Sequence, residues 1–70
     1  MPTIKKFRES LGMTQEEFAD IIHVSKVNYS KKENGKVKFS LNEAFMISKH
    51  FNKPIESIFE NNAVSVNEIL

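Results

Sequence analysis

Residues 15–36, QEEFADIIHVSKVNYSKKENGK, hold two short helical patterns on either side of a break, and their reading decides the fold. Immediately before them, Thr14 forms a capping box with Glu17: the threonine hydroxyl takes a free backbone N–H and the glutamate reaches back to the cap. From that start, Phe18, Ile21 and Ile22 fall on one helical face, with the small Ala19 beside them. The pattern breaks at His23-Val24-Ser25, where Ser25 is placed to cap a further helix running to Glu33. Asn34-Gly35 ends that helix, because glycine takes the left-handed conformation a helix terminus often needs. Two short helices therefore flank a three-residue turn, and the second carries a concentration of lysines.

The same punctuation extends outward. Thr3 can cap a first helix with Ile4, Phe7 and Leu11 at helical spacing, and Gly12 stops it. Ser40 and Glu43 make another capping box, opening a fourth helix whose inner stripe reads Leu41, Ala44, Phe45, Ser48 and Phe51. Asn52 and Lys53 break it, and Pro54 suits the first turn of a fifth, short helix containing Ile55, Ile58 and Phe59. The pattern predicts an all-α fold, a compact five-helix bundle over residues 1–60 with a short C-terminal extension, 61–70. In that extension Val64 and Val66 alternate with Ser65 and Asn67, a weak strand periodicity. Ser65 to Glu68 also fits a capping box, but too few residues follow to make a stable helix. A dimerisation arm and a frayed tail both fit such a stretch.

Seventy residues bury only roughly 60% of the surface their unfolded chain exposes, so the core is marginal and self-association is one source of extra stability. With 40% apolar and 27% charged residues the composition is that of a soluble globule. There is no cysteine, and His23 and His50 are too far apart in sequence to suggest a metal site. No metal or other cofactor is expected. The chain has no apolar run of membrane length and no secretory leader pattern, so the expectation is a cytoplasmic protein with no membrane partner. It also lacks a cysteine nucleophile, a glycine-rich phosphate loop and any recognisable acid or histidine constellation, which argues against an enzyme. So small a domain has little interior in which to shape a pocket, and no small-molecule ligand is expected.

The formal net charge of +1 is unevenly spread. Residues 25–38 set Lys26, Lys31, Lys32, Lys36 and Lys38 against Glu33 alone, giving +4 between acidic flanks. A polyanion-binding stripe and a merely solvated lysine-rich loop both account for that asymmetry.

Two helices joined by a short turn, with the second one basic, have the geometry of a helix-turn-helix, whose second helix enters the major groove of DNA while the first braces it. Residues 15–36 resemble the Cro/repressor helix-turn-helix family, to which the lambdoid phage repressors belong. The likeness rests on Gln15, Ala19, Val24-Ser25 and Glu33-Asn34-Gly35-Lys36, and on the flanking IKKFRE and ISKHFNKPIESIF, so that it covers residues 4–59. It implies double-stranded DNA as partner. Lys26, Val27, Ser30 and Lys31 match the positions that face the groove, with Ser25 and Asn28 at its margins. Lysine can donate to guanine O6 and N7, and valine can touch a thymine methyl. Gln15 matches a glutamine that touches the sugar-phosphate backbone and braces recognition side chains, with Thr14 at the adjoining helix start, where partial positive charge favours phosphate. Lys36, Lys38 and Asn34 match the loop that grips phosphates. Arg8 and Glu33 match an internal ion pair.

Four positions depart from the family pattern. His23 stands where glycine is usual, in a turn that needs positive φ. Lys32 stands at a usually apolar position, where its stem must follow the core while its ammonium reaches water. Tyr29 replaces an aliphatic residue and needs a partner for its hydroxyl. Phe39 replaces a common proline.

Plainer readings exist for several of these residues. Gln15 is also an ordinary helix former, Lys36 and Lys38 are also typical solvated lysines, and His23 reads as a turn residue rather than a ligand. The expected function is a transcriptional repressor of bacterial or phage type, a homodimer on a palindromic operator with half-sites about 10 bp apart. A protein-interaction module of the same fold, such as an antitoxin holding a partner, is the alternative, although it has no need of the +4 stripe.

Overall fold

The computed structural model describes residues 3–60 and 62–65. Its elements in order are α1 (Ile4–Ser10), α2 (Gln15–Ile21), α3 (Lys26–Glu33), β1 (Phe39–Ser40), α4 (Leu41–Phe51), a single 3-10 turn (Ile55–Ser57) and β2 (Val64–Ser65). The two strands pair in parallel, Phe39 opposite Val64 and Ser40 opposite Ser65.

Each α-helix begins where a hydroxyl can satisfy a free amide. Thr3 accepts from Lys6, Ser25 from Asn28, and both Thr14–Glu17 and Ser40–Glu43 form complete capping boxes. The stops are residues in the left-handed region: Gly12 (φ +68°) past α1, Gly35 (φ +84°) past α3 and Asn52 (φ +54°) closing α4.

Phe18, Tyr29, Phe39, Ile47 and Ile58 are the largest fully buried side chains. An unbroken aromatic chain runs through the core and joins every α-helix. Phe7 meets Phe51 at 5.3 Å between ring centres, Phe51 stacks on Phe18 at 5.3 Å, and Phe18 meets Tyr29 at 6.0 Å. Tyr29 then meets Phe39 at 5.9 Å and Phe39 meets Phe59 at 5.1 Å. Apart from the Phe18–Phe51 stack these contacts are edge-to-face, and each adds about 0.5–1.5 kcal/mol beyond area burial.

The expected fifth helix is a correction: only Ile55–Ser57 coil, in one 3-10 turn. Pro54 offers no capping hydrogen bond, and three residues cannot offset the cost of nucleating an α-helix. Among the described residues four α-helices therefore make the bundle, with the small parallel pair added to it. The stripe of α4 is also shifted. Ala44 and Ile47 are fully buried, whereas Phe45, read as inner, is 48% exposed. Phe45 follows Ala44 by about 100° of helical rotation and so turns away from the core. Leu11, at the C-cap of α1, is likewise exposed.

Part of the 61–70 extension lies against the body. The Phe39 N–H donates to the Ala63 carbonyl at 2.8 Å, and β2 continues that contact. Val66, Asn67 and the Ser65–Glu68 capping box fall at or beyond the last described residue, Ser65.

Candidate nucleic-acid interface

The two central helices meet through a close approach. Ala19, only 1% exposed, sits at the crossing, and its carbonyl accepts the Val24 N–H at 3.0 Å. The turn between them needs one residue with positive φ, and His23 supplies it at φ +60°. Histidine is among the non-glycine residues that tolerate this region, at some strain.

α3 turns its Tyr29 side inward and leaves the opposite side open. Lys26, Val27 and Lys31 are exposed and Ser30 is half-buried; Val27, at 65%, is the most exposed large hydrophobic side chain among the described residues. These four side chains, together with Gln15, Asn34 and Lys36, line one shallow depression of about 370 Å³. Ser25 and Asn28 are exposed at the start of α3, where the Ser25 hydroxyl is engaged by the Asn28 N–H at 3.1 Å. Thr14 is exposed at the start of α2, but its amide and hydroxyl are both taken up by Glu17. Lys38 is exposed in the following loop and does not line the depression.

Behind this face lies a charged knot. Arg8 forks onto Glu33, Nε to Oε2 at 2.9 Å and Nη2 to Oε1 at 3.0 Å, while its Nη1 donates to the Met13 carbonyl at 2.9 Å. The Gln15 side-chain amide donates to the same Glu33 Oε1 at 3.1 Å. Glu33 is thereby held with 1% of its side chain exposed. Burial alone would raise its pKa, but hydrogen bonds from Arg8 and Gln15, with the Tyr29 hydroxyl close by, outweigh burial and hold the carboxyl below the usual glutamate range. The hydrogen bond to Glu33 raises the Arg8 guanidinium further still. Burial, then the neighbouring carboxylate, pushes the Tyr29 phenol well above its ordinary value. That hydroxyl is buried beside the knot yet makes no well-formed hydrogen bond among the described residues, so the partner its position called for is missing.

Lys32 does not extend to water as its departure from the family suggested. Its ammonium pairs with Glu43 at 3.0 Å, with only 14% of the side chain exposed. The cap role of Glu43 was evident in the sequence and this second role was not, because nothing local links residues 32 and 43. The Gln15–Glu33 bond was hidden for the same reason.

With Glu33 answered by Arg8 and Lys32 by Glu43, the exposed lysines of the 25–38 segment are Lys26, Lys31, Lys36 and Lys38, and no acidic side chain of that segment opposes them. A helix presenting Lys26 and Lys31 with an apolar valine, beside Lys36 of the following loop, around one depression can meet a phosphate backbone and reach base edges.

Comparison with known proteins agrees with this geometry. A helix-turn-helix family model matches residues 4–58. Two proteins of Archaeoglobus fulgidus, each described as an uncharacterized HTH-type transcriptional regulator, are similar to the chain. One is 43% identical over 56 residues, covering 80% of this chain and 79% of the relative. The other is 41% identical over 56 residues, covering 80% of each. No solved structure matches the chain at comparable significance.

Proposed function

The chain belongs to the helix-turn-helix family, of the Cro/repressor type, and we propose that it is a transcriptional repressor that binds a palindromic DNA operator as a homodimer. The observation that carries this reading is the open side of α3, where Lys26, Val27, Ser30 and Lys31 surround one depression with Gln15 and Lys36. In this reading α3 lies in the major groove. Lys26 and Lys31 donate to guanine edges, Val27 packs on a thymine methyl and Ser30 completes the base contacts. Thr14, Gln15, Ser25, Asn28, Asn34, Lys36 and Lys38 meet backbone or groove margins and fix the register. The Arg8–Glu33 pair holds the end of α3 against α1. Two copies place their α3 helices one duplex turn apart, about 10 bp, and occupancy of a promoter excludes polymerase. Residues 61–70 contribute to pairing of the copies. Among the described residues no helix is long and apolar enough to cross a membrane, and a cytoplasmic location suits a DNA-binding regulator.

Binding to random duplex DNA, followed by anisotropy across a salt series, tests the first half of this reading. Lys36 and Lys38 of two copies meeting phosphate give log K against log salt a slope of about −3 to −4. Absence of binding at low salt overturns the DNA reading and favours a protein-interaction module of the same fold. Selection of bound sites from random sequence tests the second half: a consensus without two-fold symmetry overturns the homodimer on a palindrome.

A further inference from the structure

The ammonium of Lys32 bridges two elements. Its Nζ lies 3.0 Å from Oε1 of Glu43, donates to the Lys38 carbonyl at 3.3 Å and sits 5.9 Å from the centre of the Phe39 ring. The same Glu43 oxygen accepts the Ser40 N–H at 2.9 Å, so it is already fixed by the cap of α4. Between the two partners runs the loop of residues 34–38. Its entry is tied to the end of α3: Gly35 N–H donates to the Lys32 carbonyl at 3.2 Å, and the Lys36 and Val37 amides donate to the Lys31 carbonyl at 2.9 and 3.3 Å. Its exit is tied by the Lys32 ammonium. Lys32 thus reaches both ends of a five-residue loop, with the Lys31 carbonyl also holding its entry, and the loop's exposed cations are Lys36 and Lys38.

We infer that Lys32 and Glu43 form a positioning clasp, which sets the geometry at which Lys36 and Lys38 meet phosphate without either clasp residue touching DNA. The inference rests on the DNA-binding reading above. A loop free to sample many conformers binds with an affinity reduced by the fraction of time it spends in the competent one, whereas a loop held in advance escapes that reduction. Lys32 is also unlike the other lysines of its segment in being largely covered, so its charge is spent within the protein. The role of Glu43 separates the clasp from simple electrostatics. An acidic side chain near a polyanion weakens binding by repulsion, and removing its charge strengthens binding. In a clasp, removing that charge releases the loop and weakens binding.

The test uses the full chain carrying Glu43→Gln, Lys32→Met, both together, or Lys32→Arg. Glutamine can still accept the Ser40 N–H, so the start of α4 is kept. Affinity is measured against a duplex of random sequence at one salt concentration, and amide hydrogen exchange is measured on the free protein. The clasp gives a roughly three- to tenfold loss of affinity for Glu43→Gln and for Lys32→Met, with the double variant no worse than either single one. It also gives faster exchange at Lys36 and Val37 with unchanged exchange in α1, and Lys32→Arg stays within about twofold of the native chain. Tighter or unchanged binding by Glu43→Gln, or losses that multiply in the double variant, overturns it. Should Lys32→Met fail to fold, Glu43→Gln and Lys32→Arg decide the matter by themselves. Should the native chain bind no duplex, the DNA reading fails, while the exchange rates still report whether the clasp holds the loop.

Discussion

At the scale of single residues, Arg8 and Glu33 carry the largest expected effect. Arg8→Met leaves an ionised carboxylate with 1% exposure and no cationic partner, which costs about 3–5 kcal/mol in denaturant unfolding. Replacing both residues by methionine costs less than Arg8→Met alone, because no charge is then stranded; a larger cost for the pair would refute this account. Because Glu33 is held below the ordinary glutamate range, its stabilising contribution is complete above that range. It is lost as pH falls through that range toward the folded-state value, and Glu33→Gln should flatten this acid limb of the stability profile. Tyr29→Phe removes a buried hydroxyl that makes no well-formed hydrogen bond but lies beside the Glu33 carboxylate and helps to hold it ionised, and stability should stay within about 1 kcal/mol of the native chain. At the DNA face, Lys38→Ala should weaken binding to all sequences and lower the salt slope by about one per copy. Lys31→Ala should instead relax preference at one base pair by about 1–3 kcal/mol, and a uniform loss across operator variants would reassign it to the backbone. The pairing of Arg8 with Glu33 was legible only through the family resemblance, since the two are 25 residues apart. The orphaned Tyr29 hydroxyl was beyond any sequence reading, because a missing partner is a property of the packed core.

At the scale of elements, the caps were the most legible feature. Thr3, Thr14, Ser25 and Ser40 each accept the backbone bond that their spacing announced, because a cap depends only on residues three positions apart. The 55–59 segment was not legible to the same degree. Its apolar spacing suits a helix, yet Ile58 and Phe59 are both buried, and the chain meets that demand with one tight turn. Phe45 misled in a similar way, since an aromatic residue beside Ala44 passes for core until the rotation of α4 is fixed by Ile47 and Phe51. The turn between α2 and α3 carries its own prediction. His23→Gly relieves a left-handed residue and should raise stability by about 0.5–1 kcal/mol, read from the thermal midpoint, with the glycine's greater unfolded-state freedom limiting the gain. A fall in stability would mean that the imidazole makes a contact worth more than the strain.

At the scale of the whole molecule, a 70-residue chain has little reserve, and the β1–β2 pair adds to it. Ending the chain after residue 60 removes β2 and leaves the N–H of fully buried Phe39 without its acceptor, which should lower stability by about 1–3 kcal/mol in chemical denaturation. No change would show that the pairing contributes nothing. The strand character of 64–65 was visible as weak alternation, but its partner was not, because Phe39 lies far back in the chain at a position where proline is more usual. The guanidinium of Arg8 has a last consequence. Projecting from α1, it bonds the segment before α2 and the end of α3 at once, and through Glu33 it also fixes Gln15. Melting of α3 through its C-terminal turn breaks those attachments, so loss of α3 should accompany loss of its packing on α1 and α2 rather than precede it. Saturating duplex should then lift the melting temperature of all four helices by one common increment, and warming should release the operator in the same narrow interval in which the chain unravels.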